Sequence, residues 1–104
     1  MSPLRFSRRA RSDLLGIAAY TLQTWGQEQA ISYIDDLEGF CQMLANNPAL
    51  GRECGHIRPG LRRMERGRHV VFYRQETGGI LVSRLLHQRM LPETHAIDDE
   101  DAGR

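Results

Sequence analysis

The spacing of apolar residues along the chain changes character near residue 60 and divides it into two kinds of element. Ala10, Leu14, Ile17, Ala18, Thr21 and Trp25 recur at three- and four-residue intervals, the period of an amphipathic helix. Ser7 stands where a side-chain oxygen can cap the first turn, and Gly26 ends the run. A second stripe starts almost at once, from Gln27 or Glu28, through Ala30, Tyr33, Ile34, Leu37, Phe40, Cys41 and Leu44. Asn46-Asn47-Pro48 closes it, because proline disfavours a helical conformation in the residue before it. Residues 8–46 therefore read as an αα-hairpin with one shared apolar seam. Residues 48–60, rich in Gly and Pro, read as a loop. After them the spacing becomes that of strands: LRRMER, HVVFYRQ and ILVSRLLH, separated by Gly67 and by Thr77-Gly78-Gly79, predict an antiparallel meander. Pro3 to Phe6 has the character of a short edge strand, where a proline is tolerated.

This succession, β-α-α-β-β-β, predicts an α+β fold in which a helical hairpin packs on one face of a small, antiparallel-rich twisted sheet. With 104 residues the chain makes one domain, expected over residues 1–90, followed by an acidic, flexible tail over 91–104. In HVVFYR, alternation sends Val70, Phe72 and Arg74 to one side and His69, Val71 and Tyr73 to the other. Both sides are partly apolar, so this strand is expected at the centre of the sheet with cover on each face. Arg74 is then expected at a rim or in an ion pair, since a buried guanidinium needs a partner.

Charge adds a second pattern. The net charge is only +1. Yet residues 1–11 hold four arginines and no acid, and residues 12–51 hold Asp13, Glu28, Asp35, Asp36 and Glu38 with no base. From Arg52 to Arg89 there are nine arginines against three acids, and the tail is acidic again. Such blocks bear on partners more than on fold. All 14 basic residues are arginine, so no lysine is available as base, Schiff-base nucleophile or phosphate anchor. Cys41 and Cys54 match no metal or redox spacing and read as free thiols in a reducing cytoplasm. No apolar run reaches the roughly 18–20 residues of a membrane helix, and the N-terminus has no signal-peptide core.

Few residues suggest chemistry. The four histidines lack metal-ligand spacing, and no Gly-rich phosphate loop or nucleophile motif is present, so neither metal nor cofactor is expected. Arg74, Arg84 and His87 lie on adjacent predicted strands and, with Glu53 or Glu65, would make a ribonuclease group. Histidine or glutamate would move protons there and arginine would stabilise the charge on phosphate. The stretch GLRRMERGRHVVFYR holds five arginines and one acid. It is a solvated face, a nucleic-acid contact or a surface for an acidic protein. Interleaved aromatics are sparse, only Phe72 and Tyr73, which favours the protein partner.

The sequence resembles the ParE toxins of the RelE/ParE superfamily. The resemblance is carried by Tyr20-Thr21, Trp25-Gly26, Ala30, Tyr33-Ile34, Leu44-Ala45, Asn47-Pro48 and Gly51-Arg52. It continues through Ile57-Arg58-Pro59-Gly60-Leu61-Arg62, Gly67, His69-Val70-Val71-Phe72-Tyr73-Arg74 and Arg84-Leu85-Leu86-His87, so it runs from residue 4 to about 90. It implies the toxin half of a type II toxin–antitoxin module, and a poison of DNA gyrase that stabilises the enzyme's cleaved-DNA complex. It also implies a ParD-like antitoxin, with a ribbon-helix-helix end and an acidic amphipathic end that wraps the toxin. DNA would be met only through gyrase or the antitoxin. RelE relatives instead cut messenger RNA on the ribosome and lean on lysines absent here, so the ParE branch fits better. Two alternatives remain: such a ribonuclease, with His87 as its histidine, and an inert relative that serves only as antitoxin partner and co-repressor.

On this reading Arg58, Arg62, Arg63, Arg66 and Arg68 are expected to form one electropositive surface for partners, flanked by Tyr73, Arg74 and His87. The antitoxin would meet it with carboxylates and lay an amphipathic helix along an apolar groove. The acidic run Asp98 to Asp101 is either inert or folds back over these arginines.

Overall fold

The computed structural model describes residues 2–89. It contains strand β1 (Leu4–Phe6), helices α1 (Arg8–Trp25) and α2 (Gln27–Asn46), and a 3-10 turn at Pro48–Leu50. Strands β2 (Arg52–Glu53), β3 (Leu61–Arg66), β4 (His69–Glu76) and β5 (Gly79–His87) follow. The expected β-α-α-β-β-β order is present, with β2 added inside the segment read as loop. The predicted acidic tail lies outside the described residues.

Ser7 turns the chain from strand to helix. Its N–H donates to the Val82 carbonyl at 2.9 Å, prolonging the sheet, while its Oγ accepts the Ala10 N–H at 3.0 Å as a helix cap. The same hydroxyl donates to the Ser83 carbonyl at 2.8 Å, so helix and sheet are tied at one point. Gly26, at φ 93°, supplies the backbone conformation that lets α2 begin one residue after α1 ends.

The strands run in the order β1-β5-β4-β3-β2. All neighbours are antiparallel except β1 and β5, which are parallel, Leu4 to Phe6 lying beside Ile80 to Val82. A parallel pair needs a long crossover, and the helical hairpin begins it. Both helices cover one face of the sheet, where Ile17, Leu37, Phe40, Cys41 and Leu44 meet Val71, Tyr73, Ile80, Val82 and Leu85. On the other face Val70, Phe72 and Leu86 pack under Cys54 and Ile57 of the segment after β2. β4 is thus buried on both sides, as its alternation predicts. Both cysteines are free and buried, and burial pushes the Cys41 thiol up to about 12, which makes it a packing group and not a nucleophile.

Opposite Phe72 and Tyr73 the pairing of β5 shifts by one residue, from Arg84 to Val82. This bulge falls where β1 ends, so among the described residues the last part of β5 has no strand on its outer side. Asp13 of α1 fills that gap. Its carboxylate accepts the Leu85 N–H at 2.9 Å and grips the Arg84 guanidinium at 2.7 and 2.9 Å.

One position departs from the predicted stripe. Trp25 is 55% exposed, because the last turn of α1 runs past Thr21, where the buried seam stops.

Candidate partner-binding site

The five arginines do not form one surface. Alternation along β3 sends Arg62 and Arg66 to the helix side with Met64, and Arg63 to the other side with Leu61. Arg66 is clamped on Asp36 of α2 at 2.8 and 2.5 Å and lies over the Phe40 ring; that bonding holds the Asp36 carboxyl below its usual range. Arg62 donates to the Gly51 carbonyl at 2.7 Å. Arg63 stacks over Phe72 on the far face and shares Glu65 with Arg52, at 3.2 and 2.6 Å. Arg58 lies in the turn that leads into β3, its carbonyl accepting the Leu61 N–H. Internal acids therefore match much of the block.

Two further expectations change. Tyr73, proposed as a partner contact, is fully buried, and burial raises its phenol. Its hydroxyl accepts the Gly51 N–H and donates to the Pro48 carbonyl, both at 2.8 Å, which locks the 3-10 turn onto β4. Nor do Arg74, Arg84 and His87 converge. Arg74 is half-buried, lies 3.8 Å from Glu76 and pairs in register with Leu81, while His87 pairs with His69. Six residues of β5 separate those positions, about 20 Å of strand. Arg84 is held by Asp13.

His87 belongs instead to a cleft that the sequence did not reveal. Its ring stands edge-on to His69 with centroids 5.5 Å apart, and His69 in turn meets Tyr33 of α2. The Tyr33 oxygen accepts the Arg68 backbone N–H at 3.1 Å and is hydrogen-bonded to His69 Nδ1 at 2.7 Å, in a direction set by the His69 tautomer. Burial first, then the electrostatic influence of the neighbouring His87 and Arg68, pushes His69 down to about 4, so it is neutral at physiological pH. His87 Nδ1 accepts the Arg89 N–H at 3.2 Å, which leaves its Nε2 to face the cleft as a donor. The remaining wall comes from the ends of the helices, where the Arg68 guanidinium lies 5.4 Å from the Trp25 ring centroid and Tyr20 stands beside it. The cleft has a volume of about 420 Å³, and among the described residues no carboxylate lines it. Gly67, at φ 60°, permits this approach, since a Cβ there would sit 2.8 Å from the Tyr33 hydroxyl. Donors and aromatic walls without an acid suit an anionic group carried on an apolar body.

His69 makes the site sensitive to acid. Its folded pKa lies below the usual 6.5, so between pH 6.5 and about 4 the unfolded chain binds the extra proton. Stability from this group is complete above that window and is lost as pH falls through it, by about 1–2 kcal/mol after allowance for solvent screening. His69→Gln keeps an amide able to hydrogen-bond Tyr33 but cannot titrate. Urea unfolding at pH 7 and pH 4.5 should show a smaller acid loss in the variant than in the parent.

Comparison with known proteins places this architecture. The profile of the family described as ParE toxin of type II toxin–antitoxin system, parDE, matches residues 4–92. The chain belongs to this family. The toxin ParE1 of Caulobacter vibrioides is 42% identical to this ParE chain over 95 residues, 91% of this chain and 98% of that one. The toxin ParE1 of Mycobacterium tuberculosis is 41% identical over 85 residues, 81% of this chain and 87% of that one. A solved structure described as the chromosomal ParDE toxin–antitoxin system from P. aeruginosa superposes with a TM-score of 0.70 at 25% identity. It covers 84% of this chain and 96% of that one. This ParE toxin is therefore the toxin component of a type II module. Among its described residues, no helix is long and apolar enough to cross a membrane, and no group of three potential ligands could hold a metal.

Proposed function

We propose that this ParE chain poisons DNA gyrase by stabilising the cleaved-DNA complex, acting as a binding inhibitor and not as a catalyst. A ParD-like antitoxin in the same cytoplasm neutralises it. Family membership across residues 4–92 carries this reading. The scattering of Arg74, Arg84 and His87 supports a binding role over ribonuclease chemistry, because acid, base and charge stabiliser must act on one phosphate.

The antitoxin fits the cleft between the helix ends and the β3–β4 turn. An acidic amphipathic segment can set apolar side chains against Tyr20 and Trp25 while its carboxylates meet Arg68 and the imidazoles of His69 and His87. Titration calorimetry of the toxin with its cognate antitoxin tests the contact. Arg68→Glu should weaken binding at least about ten-fold and flatten its dependence on salt, since it replaces attraction by repulsion. Equal affinity of parent and variant would remove the cleft from the interface. In cells, induction without antitoxin should arrest growth and co-expression should restore it; normal growth without antitoxin would favour the inert partner.

A further inference from the structure

The outer face of the helical hairpin is apolar and turned away from the sheet. Leu22 and Ile31, 51% and 54% exposed, line a shallow groove with Ala18, Ala19 and Ile34, and Leu15, 73% exposed, precedes Leu22 by seven residues on α1. Exposed aliphatic side chains gathered around one apolar groove on so small a domain mark an interaction surface.

Charge narrows the choice. The rim of the groove on α2 carries Asp35, and Glu38 follows one turn later on the same helix. Residues 12–51 contain no base, so an acidic partner is repelled here. The occupant must present aliphatic side chains together with positive charge. The N-terminal end of this same face does so: Arg11, Leu15, Ala18 and Leu22 follow one another at four-, three- and four-residue steps, one stripe of α1.

We infer that a second copy of this chain covers the groove, with α1 of each protomer laid over α2 of the other and both hairpins pointing the same way. The register follows from counting outwards from Gly26. Leu22 is four residues before it and Ile31 five after, so the two lie level and pack across the interface. Arg11 is fifteen residues before and Glu38 twelve after, an offset of about 4.5 Å along the helix, within reach of an arginine side chain. A twofold axis along the seam makes each of these contacts twice. The opposite orientation would set Arg11 over the partner's Leu22 and leave both the charge and the aliphatic group unmatched. Two helices of about 27 Å, side by side, offer about 500 Å² per copy, which is the low end of specific interfaces. This face is separate from the His69–His87 cleft, so the dimer stands or falls independently of the gyrase reading.

Sedimentation equilibrium of the full chain, at concentrations from about 1 to 200 μM, tests it. The expected result is a monomer–dimer equilibrium that Leu22→Asp and Ile31→Asp each abolish, with unchanged circular dichroism because both positions are exposed. Arg11→Glu and Glu38→Arg should each weaken the dimer roughly ten-fold, and the double variant should restore it. A protein monomeric throughout overturns the inference, as does a dimer indifferent to Leu22→Asp or a double variant no tighter than the singles. A monomer whose antitoxin affinity falls on Leu22→Asp also overturns it and assigns the face to the antitoxin.

Discussion

Asp13→Ala should lower the unfolding free energy by about 3 kcal/mol, the largest loss we expect from any single exposed-looking charge in the chain. The side chains of Asp13 and Arg84 are only 15% and 13% accessible, so their attraction is poorly screened by water. One carboxylate makes three bonds there, two to the guanidinium and one to the Leu85 N–H, on the stretch of β5 that β1 leaves uncovered. Alanine takes the counter-charge from a mostly buried cation and the acceptor from a backbone donor at once. Asp13→Asn separates the two effects, since its carbonyl oxygen can still accept the Leu85 N–H. It should cost about half as much, and guanidinium titrations of the three proteins would rank them. Equal stability of parent and alanine variant would mean that water replaces the carboxylate at no cost.

Tyr73→Phe should cost about 2–3 kcal/mol although it deletes one oxygen atom. That oxygen is the shared partner of the buried Gly51 N–H and the partly buried Pro48 carbonyl, and without it both lose their partner. The volume lost is small, so the penalty comes from desolvation and not from a cavity. The site resists repair from its other side as well. A Cβ on Gly51 would overlap the Tyr73 ring and hydroxyl, so Gly51→Ala should be at least as damaging as Tyr73→Phe. Hydrogen exchange gives the local readout: the Gly51 amide should lose protection in Tyr73→Phe by more than amides in the middle of α2 do.

Much of this architecture was legible from local chemistry. Ser7 and Gly26 announce a cap and a break because the backbone demands of those positions fit few residues. The two-sided burial of β4 follows from a run in which both alternating sets are partly apolar. What local chemistry does not encode is which distant groups meet. The Asp13–Arg84 clamp joins residues 71 apart, and the Tyr73 hydroxyl reaches back 25 residues to Pro48. The two-residue strand β2 is too short to carry a period, and only its antiparallel register with Arg62 and Arg63 defines it.

The site was less legible than the fold. Counting arginines as one block overlooked the alternation of LRRMER, which already assigns Arg63 to one face and Arg62 and Arg66 to the other. Reading Tyr73 as a contact overlooked that a phenol can be wholly buried when both its bonds are made inside. The cleft was hidden because its parts come from three places: Tyr33 from a helical stripe, His69 from a strand, and Trp25 from a turn expected in the core. Gly67 was the available signal, since a glycine in a two-residue connection marks close approach as readily as it marks a turn.

The gyrase reading is tested most directly with purified toxin, gyrase, relaxed plasmid and ATP, treated with detergent and protease before electrophoresis. The account predicts lost supercoiling together with accumulation of linear plasmid, both reversed when antitoxin is added first. Full supercoiling at several-fold excess of folded toxin over gyrase, with no linear product, would contradict it.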